Sequence, residues 1–189
     1  MTIKPDRWIR RMAEEQGMIE PFVPRLVQEG VLSYGLSSYG YDLRLADEWR
    51  TPPSPGAALV LDPKDISVSH FTQVRGTSYD LVPGCYVLGR SVEYLRIPPD
   101  VLALCTGKSS YARCGVMVNA TPFEPGWEGY VTLCLANLGQ QTVRLLSGEG
   151  VAQVLFFLSD EPCEMTYADR KGRYQAQQGV TPARVLGKD

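Results

Sequence analysis

The chain has 189 residues, 44% of them hydrophobic, with a net charge of −2 and a pI near 5.5. That length suits a single domain spanning 1–189 with a sizeable core. The charge balance gives no cationic stripe for nucleic acid, and no apolar run approaches the roughly 18 residues of a membrane span.

The N-terminal "MTIKPDRWIRRMAEEQG" lacks the apolar region of a signal peptide. Residues 5–16 are predicted to form a short helix with Trp8 and Met12 on one face, ended by Gly17. "YGYDLRLADEWR" alternates as a strand, with Tyr41, Leu43 and Leu45 on one face and Asp42 and Arg44 on the other. "AALVLD" (57–62) is a further strand candidate, and "CYVLGRSVEYLRI" (85–97) a longer one with a bulge expected at Gly89. "VLALCTG" (101–107) runs into one helical turn, "KSSYARCG", and then "VMVNA". After the turn "TPFEPGWEG" comes "GYVTLCLAN" (129–137). Its Val131, Leu133 and Leu135 should face a core, and its Thr132, Cys134 and Ala136 could line a cavity. "TVRLL" and "GVAQVLFFL" complete the strands. Residues 165–189 are polar and basic without a period, so they should be disordered or order on something anionic. Fourteen prolines and eighteen glycines punctuate many short strands, which points to a mainly β barrel or sandwich.

The five cysteines, Cys85, Cys105, Cys114, Cys134 and Cys163, form no C-x-x-C pair and fit free thiols in a reducing cytoplasm. The single histidine, His70 in "ISVSH", reads as a surface or loop residue, and no nucleophile elbow is present. The H-x-E and P-C-x-x-C pattern of zinc deaminases is missing, so base deamination here would proceed without zinc. "GKSS" (107–110) is not a Walker loop, because Leu102 stands where that loop needs glycine. Its hydroxyls, with Lys108 and Arg113, still suit a phosphate. The competing reading is a serine-capped turn with solvated charges.

At "SYGYDLRLADEW", "GKSSYARCGVMVNATPFEPGWEGYVTL", "GVAQVLFF" and "TYADRKGRYQAQQG", the chain resembles the dCTP deaminases of the dUTPase superfamily. The resemblance runs from the "WIRRMAEE" helix into the tail. It implies a distorted β-barrel of the dUTPase-like type, with a short N-terminal helix and a C-terminal lid tail at 165–189. It implies a homotrimer with active sites between subunits. It also implies hydrolysis of dCTP to dUTP and ammonia, with Mg2+ carried on the triphosphate and no metal bound by protein side chains. The ligand is then a deoxynucleoside triphosphate: dCTP first, with dUTP and dTTP as further candidates. By the same resemblance the segment Lys108, Ser109, Ser110, Tyr111, Ala112 and Arg113 would hold the phosphates and the reacting water, Ser109 and Arg113 at catalytic positions. Glu124 would lie near the deoxyribose, and Thr132 and Leu133 would contact the base. Gln153, Tyr167, Arg173 and Gln177 would close over the nucleotide.

One position departs from the family pattern. The strand reads "VTLCLAN" where the family reads V-T-L-E, so Cys134 replaces the glutamate that moves protons between water, N3 and the leaving amine. Cysteine offers one soft atom on a shorter side chain, with an unperturbed pKa of about 8.5 against about 4.3 for glutamate. Four readings follow. A carboxylate such as Glu124 takes over the lost role; catalysis is lost and nucleotide binding remains; the pocket hydrolyses a nucleotide in dUTPase fashion through Glu124; or Cys134 attacks C4 as a nucleophile activated by Arg113. Glu128 and Asn137 are poor surrogates: one reads as solvated, and the other points to the opposite face.

Overall fold

The computed structural model describes residues 1–53, 60–64, 66 and 68–184. In chain order the elements are β1 (Thr2–Ile3), α1 (Asp6–Gln16), β2 (Ile19–Glu20), β3 (Leu26–Val27), β4 (Tyr34–Ser37) and β5 (Gly40–Thr51). A 3-10 turn (Val68–His70), β6 (Thr72–Arg75), β7 (Ser78–Leu81), β8 (Tyr86–Arg96), β9 (Val101–Gly107) and α2 (Ser109–Arg113) follow. The last are β10 (Val116–Asn119), β11 (Glu128–Asn137), β12 (Val143–Leu146) and β13 (Gly150–Leu158). Among the described residues, one curled 11-stranded sheet runs β1-β13-β5-β8-β11-β10, with β2, β3, β4, β6 and β9 paired off that path. A two-stranded β12-β7 sheet completes a mainly β half-barrel, and every strand pairing is antiparallel.

The expected helix begins one residue later than its sequence window and ends with it at Gln16. Pro5 stands extended at the N-cap, Asp6 opens the first turn, and Gly17 closes it at φ 64°. Ile9 and Ala13 are buried, with Trp8 and Met12 packed beside them on the core. Half of the candidate strand at 57–62 lies outside the described residues, and Val60–Asp62 form none. His70 ends the 3-10 turn and is half-buried.

Two strands carry the site. In β11 the alternation is strict: Val131, Leu133 and Leu135 are buried, while Thr132, Cys134 and Ala136 are half-buried on the other face. β8 lies alongside and places Leu88 opposite Cys134, while β10 places Asn119 opposite it on the other edge. No bulge centres on Gly89 itself. Opposite Gly89–Ser91 the extra residues lie on β5, between Leu45 and Trp49, and β8 carries its own irregularity just beyond, between Arg90 and Tyr94 opposite Tyr130 and Thr132 of β11. Gly89 serves close approach: a Cβ there would stand 2.9 Å from Leu45 Cδ1.

The buried face of β8 also carries polar groups, and each is satisfied. Ser91 Oγ donates to the Glu93 carbonyl at 2.6 Å and accepts from Val131 N at 2.8 Å. The fully buried Glu93 carboxylate accepts from Arg44 N at 2.9 Å and Arg44 Nε at 2.7 Å. β5 is likewise covered on both faces, so Asp42 is buried along with Tyr41 and Leu43.

Candidate functional site

The half-polar face of β11 opens into a cavity of about 800 Å3. Leu88, Val131, Thr132 and Cys134 form its strand floor. Phe123 and Trp127, from the turn before β11, form an aromatic wall, their rings stacked 5.1 Å apart. Residues of the C-terminal tail supply the remaining side, among them Tyr167, Tyr174, Gln177 and Thr181.

The tail is bound to the barrel by its backbone as far as Thr181, and Arg184 folds back on Tyr174 of the tail itself. Tyr167 N donates to the Pro125 carbonyl at 2.8 Å, and Trp127 Nε1 donates to the Tyr174 carbonyl at 2.9 Å. Gln177 forms a parallel bridge to Gly129, and its carbonyl accepts from Tyr130 N at 3.1 Å. Only glycine permits this approach: Gly129 has φ 148°, and a Cβ would lie 2.9 Å from Gln177 Cγ. Farther on, Thr181 N donates to Thr132 Oγ1 at 3.1 Å, and Arg50 Nε donates to the Val180 carbonyl at 3.0 Å. Composition suggested a segment that is disordered or waits for an anion. Carbonyls and amides of the barrel are its partners here, a pairing that residue composition does not encode.

Cys134 sits half-buried on the cavity floor, and burial pushes its thiol pKa up. Within its own chain Arg113 exerts no influence on this thiol, so a nucleophilic Cys134 finds no activating cation among the described residues of the single chain. Glu124 lines the cavity mouth, but its carboxylate is ion-paired with Arg170, whose guanidinium also lies 5.2 Å from the centre of the Tyr167 ring. Glu128 does not line the cavity and faces Arg96 at 3.9 Å.

The "KSSYAR" segment lies outside this cavity in its own chain. Lys108 is the extended N-cap of α2, and its Nζ donates to Asp42 Oδ2 at 2.5 Å. The other oxygen of Asp42 accepts from Gln153 Nε2 at 3.0 Å, which also donates to Ser37 Oγ at 3.2 Å. Tyr111 turns into the core, where its hydroxyl accepts from Leu146 N at 2.9 Å. Ser109, Ser110, Ala112 and Arg113 face solvent, and among the described residues Arg113 has no ion-pair or hydrogen-bond partner. Arg173 donates to the Arg184 carbonyl at 2.9 Å, and Arg184 returns the same bond at 2.9 Å.

The chain therefore gathers Glu124, Thr132, Cys134, Tyr167 and Gln177 around one cavity, and Lys108 with Gln153 in a second cluster. Leu133 points its side chain into the core, leaving only its backbone for a ligand. Asp42, Arg170 and the Phe123–Trp127 wall were missed by the sequence reading. Arg170 stands in the quoted tail motif, yet nothing in its spacing names Glu124 as its partner.

A curled antiparallel sheet with an aromatic-walled cavity flanked by the chain's own tail defines a mainly β half-barrel with a concave site of small-molecule size. The family model described as dCTP deaminase-like matches residues 3–159. The dCTP deaminase of Acidobacterium capsulatum is 53% identical over 180 residues, covering 95% of this chain and 97% of that protein. That of Herpetosiphon aurantiacus is 52% identical over 185 residues, covering 98% and 100%. The crystal structure of 2'-deoxycytidine 5'-triphosphate deaminase from Agrobacterium tumefaciens shares the fold, with TM-score 0.61 and 17% identity. It covers 83% of this chain, which spans about half (48%) of that longer one. The chain belongs to the dCTP deaminase-like family.

Proposed function

We propose that this chain binds a pyrimidine deoxynucleoside triphosphate and deaminates dCTP to dUTP and ammonia far more slowly than a family member with a carboxylate at position 134. The observation that carries this reading is the cavity itself. Glu124, Thr132, Tyr167 and Gln177, all assigned to the nucleotide by resemblance, meet there around Cys134.

The cavity suits a planar, uncharged ring and cannot take a polyphosphate. Its floor is apolar or neutral, and among the described residues Glu124 is its one charged lining side chain. The phosphates must lie outside it, against cations. Arg113 and the hydroxyls of Ser109 and Ser110 are exposed and turned away from their own cavity, so they are free to complete the site of a neighbouring subunit. Exposed Leu104 of β9 and Met117 of β10 support subunit contact on that side. The assembly is a homotrimer with the site shared between chains. Tyr167, Arg173 and Gln177 act from the tail as a lid that excludes water. Mg2+ comes with the triphosphate and neutralises part of its charge; no side chain is assigned to it.

Deamination adds water across C4, gives a proton to N3 and expels ammonia. One group must accept the water proton and return protons to the ring and the leaving amine. A protonated thiol cannot accept that first proton, and a missing positioned base costs roughly 10²–10⁴-fold in rate. Incubating the protein with dCTP and Mg2+ and measuring dUTP and ammonia tests the reading. Slow release at least a hundredfold below a carboxylate-bearing relative supports it. Absence of any stabilisation by deoxynucleoside triphosphates at millimolar concentration overturns it.

A further inference from the structure

We propose that the cavity floor around Cys134 is a binding site for a small carboxylate anion, formate being the best fit, which serves there as the missing proton carrier for deamination. This deepens the reading of the cavity as the base pocket and rests on it.

Three neutral side chains meet at that spot, and each can donate. β10 sets Asn119 directly across from Cys134 on the same face of the sheet, and Thr132 stands two residues before it on β11. Thr132 Oγ1 accepts from Thr181 N, which leaves its own O–H to donate. The Asn119 amide adds N–H donors, and burial keeps the Cys134 thiol protonated. Among the described residues Glu124 is the one anion lining the cavity, and Arg170 offsets its charge at the mouth. An anion on the floor therefore meets donors and no uncompensated negative charge. A volume of about 800 Å3 lies toward the upper end of the usual range for small-ligand pockets, which leaves room for it beside a pyrimidine ring.

The size of the anion follows from side-chain length. Cβ and Sγ of cysteine take the places of Cβ and Cγ of a glutamate, so the group that Cys134 lacks is the carboxylate alone. Formate is that group with a hydrogen in place of the stem. It accepts a proton from water as the water oxygen bonds to C4, and it passes that proton to N3. It then carries the proton of the new C4 hydroxyl to the amino nitrogen. The C4–N bond breaks, ammonia leaves with the bonding pair, and C4=O forms. Formate is regenerated, and the sum is water plus dCTP giving dUTP plus ammonia. An untethered base forgoes part of the proximity advantage, so the recovery is about tenfold out of the roughly 10²–10⁴-fold that a positioned base supplies.

The experiment follows dUTP and ammonia release from dCTP with Mg2+ in rising sodium formate, with chloride holding the ionic strength constant. The expected result is a saturating rise of about tenfold in the natural chain, with acetate weaker than formate. Cys134→Ala, which lacks the equivalent of Cγ as well, reverses that order in favour of acetate. Cys134→Glu does not respond, since its own carboxylate fills the spot. The alanine variant keeps the test sound if the buried glutamate disturbs folding. A flat response in a slow natural chain, or a linear rise shared by Cys134→Glu, overturns the anion site while leaving the base pocket intact. Turnover of the natural chain without formate that equals a carboxylate-bearing relative overturns the reading of a missing proton carrier and the anion site with it.

Discussion

Replacing Arg44 with methionine removes the counter-charge that keeps the cavity strand in place. Glu93 has no exposed side-chain surface, and Arg44 meets its carboxylate through both backbone N and Nε, at 2.9 and 2.7 Å. The same stretch of β8 holds β11 through Ser91 Oγ, which accepts from Val131 N three residues before Cys134. Burial raises the Glu93 pKa above the usual carboxylate range even though Arg44 opposes the rise. Without the guanidinium the buried carboxylate loses its counter-charge, at a cost of about 3–5 kcal/mol. For a chain of 189 residues that lowers the melting midpoint by about 10 °C. The pH dependence follows from the same shift. A carboxyl whose folded pKa exceeds its unfolded value binds protons more readily when native. The penalty is therefore full above the folded pKa and fades as pH falls toward the ordinary carboxylate range. Arg44→Met raises that pKa further, so the gap in stability from the natural protein should narrow on going from pH 8 to pH 5. Melting by circular dichroism across that range measures both effects. A loss under about 1 kcal/mol, or a gap that widens on acidification, refutes the reasoning.

Tyr111→Phe strips the acceptor from Leu146 N and should cost about 1–3 kcal/mol in thermal unfolding, with triphosphate affinity unchanged. Lost affinity at unchanged stability would place Tyr111 at the ligand instead. Trp127→Phe deletes the bond to the Tyr174 carbonyl, so hydrogen exchange should quicken across the tail and spare β8. Alkylation followed by mass spectrometry should label exposed Cys114 and Cys163 first at pH 7.5. Cys134 should lag and gain rate as pH rises past the ordinary thiol range, because burial holds it protonated. A solution mass near three times the 20.9 kDa chain is expected from light scattering, and a monomer would contradict the shared site.

Strands with one face in the core were legible from sequence. β11 alternates because Val131, Leu133 and Leu135 meet the interior while Thr132 and Cys134 border a cavity, and residue types record that difference. β5 was read as a strand, but the burial of Asp42 was not foreseen. A period of 2 cannot report that neighbouring elements cover both faces and that Lys108 arrives from 66 residues away. The bulge was assigned to Gly89 because glycine often marks one. There the glycine admits Leu45, and the extra residues lie on β5 opposite it and farther along β8, between Arg90 and Tyr94. The tail was legible as a distinct segment but not as a docked one, since its partners are mostly backbone atoms of β11 and the preceding turn. Quoted motifs brought Glu124, Tyr167 and Gln177 to one cavity with Cys134, whereas the separation of Ser109 and Arg113 from that cavity is a property of three-dimensional arrangement alone.

The most direct test of the missing proton carrier is the rate of ammonia and dUTP release from dCTP with Mg2+, compared between the natural chain and Cys134→Glu. The glutamate variant is expected to turn over at least about a hundredfold faster, since it restores a group able to take and return protons. Turnover by the natural chain that equals or exceeds the glutamate variant, and persists in Cys134→Ala, would contradict the account.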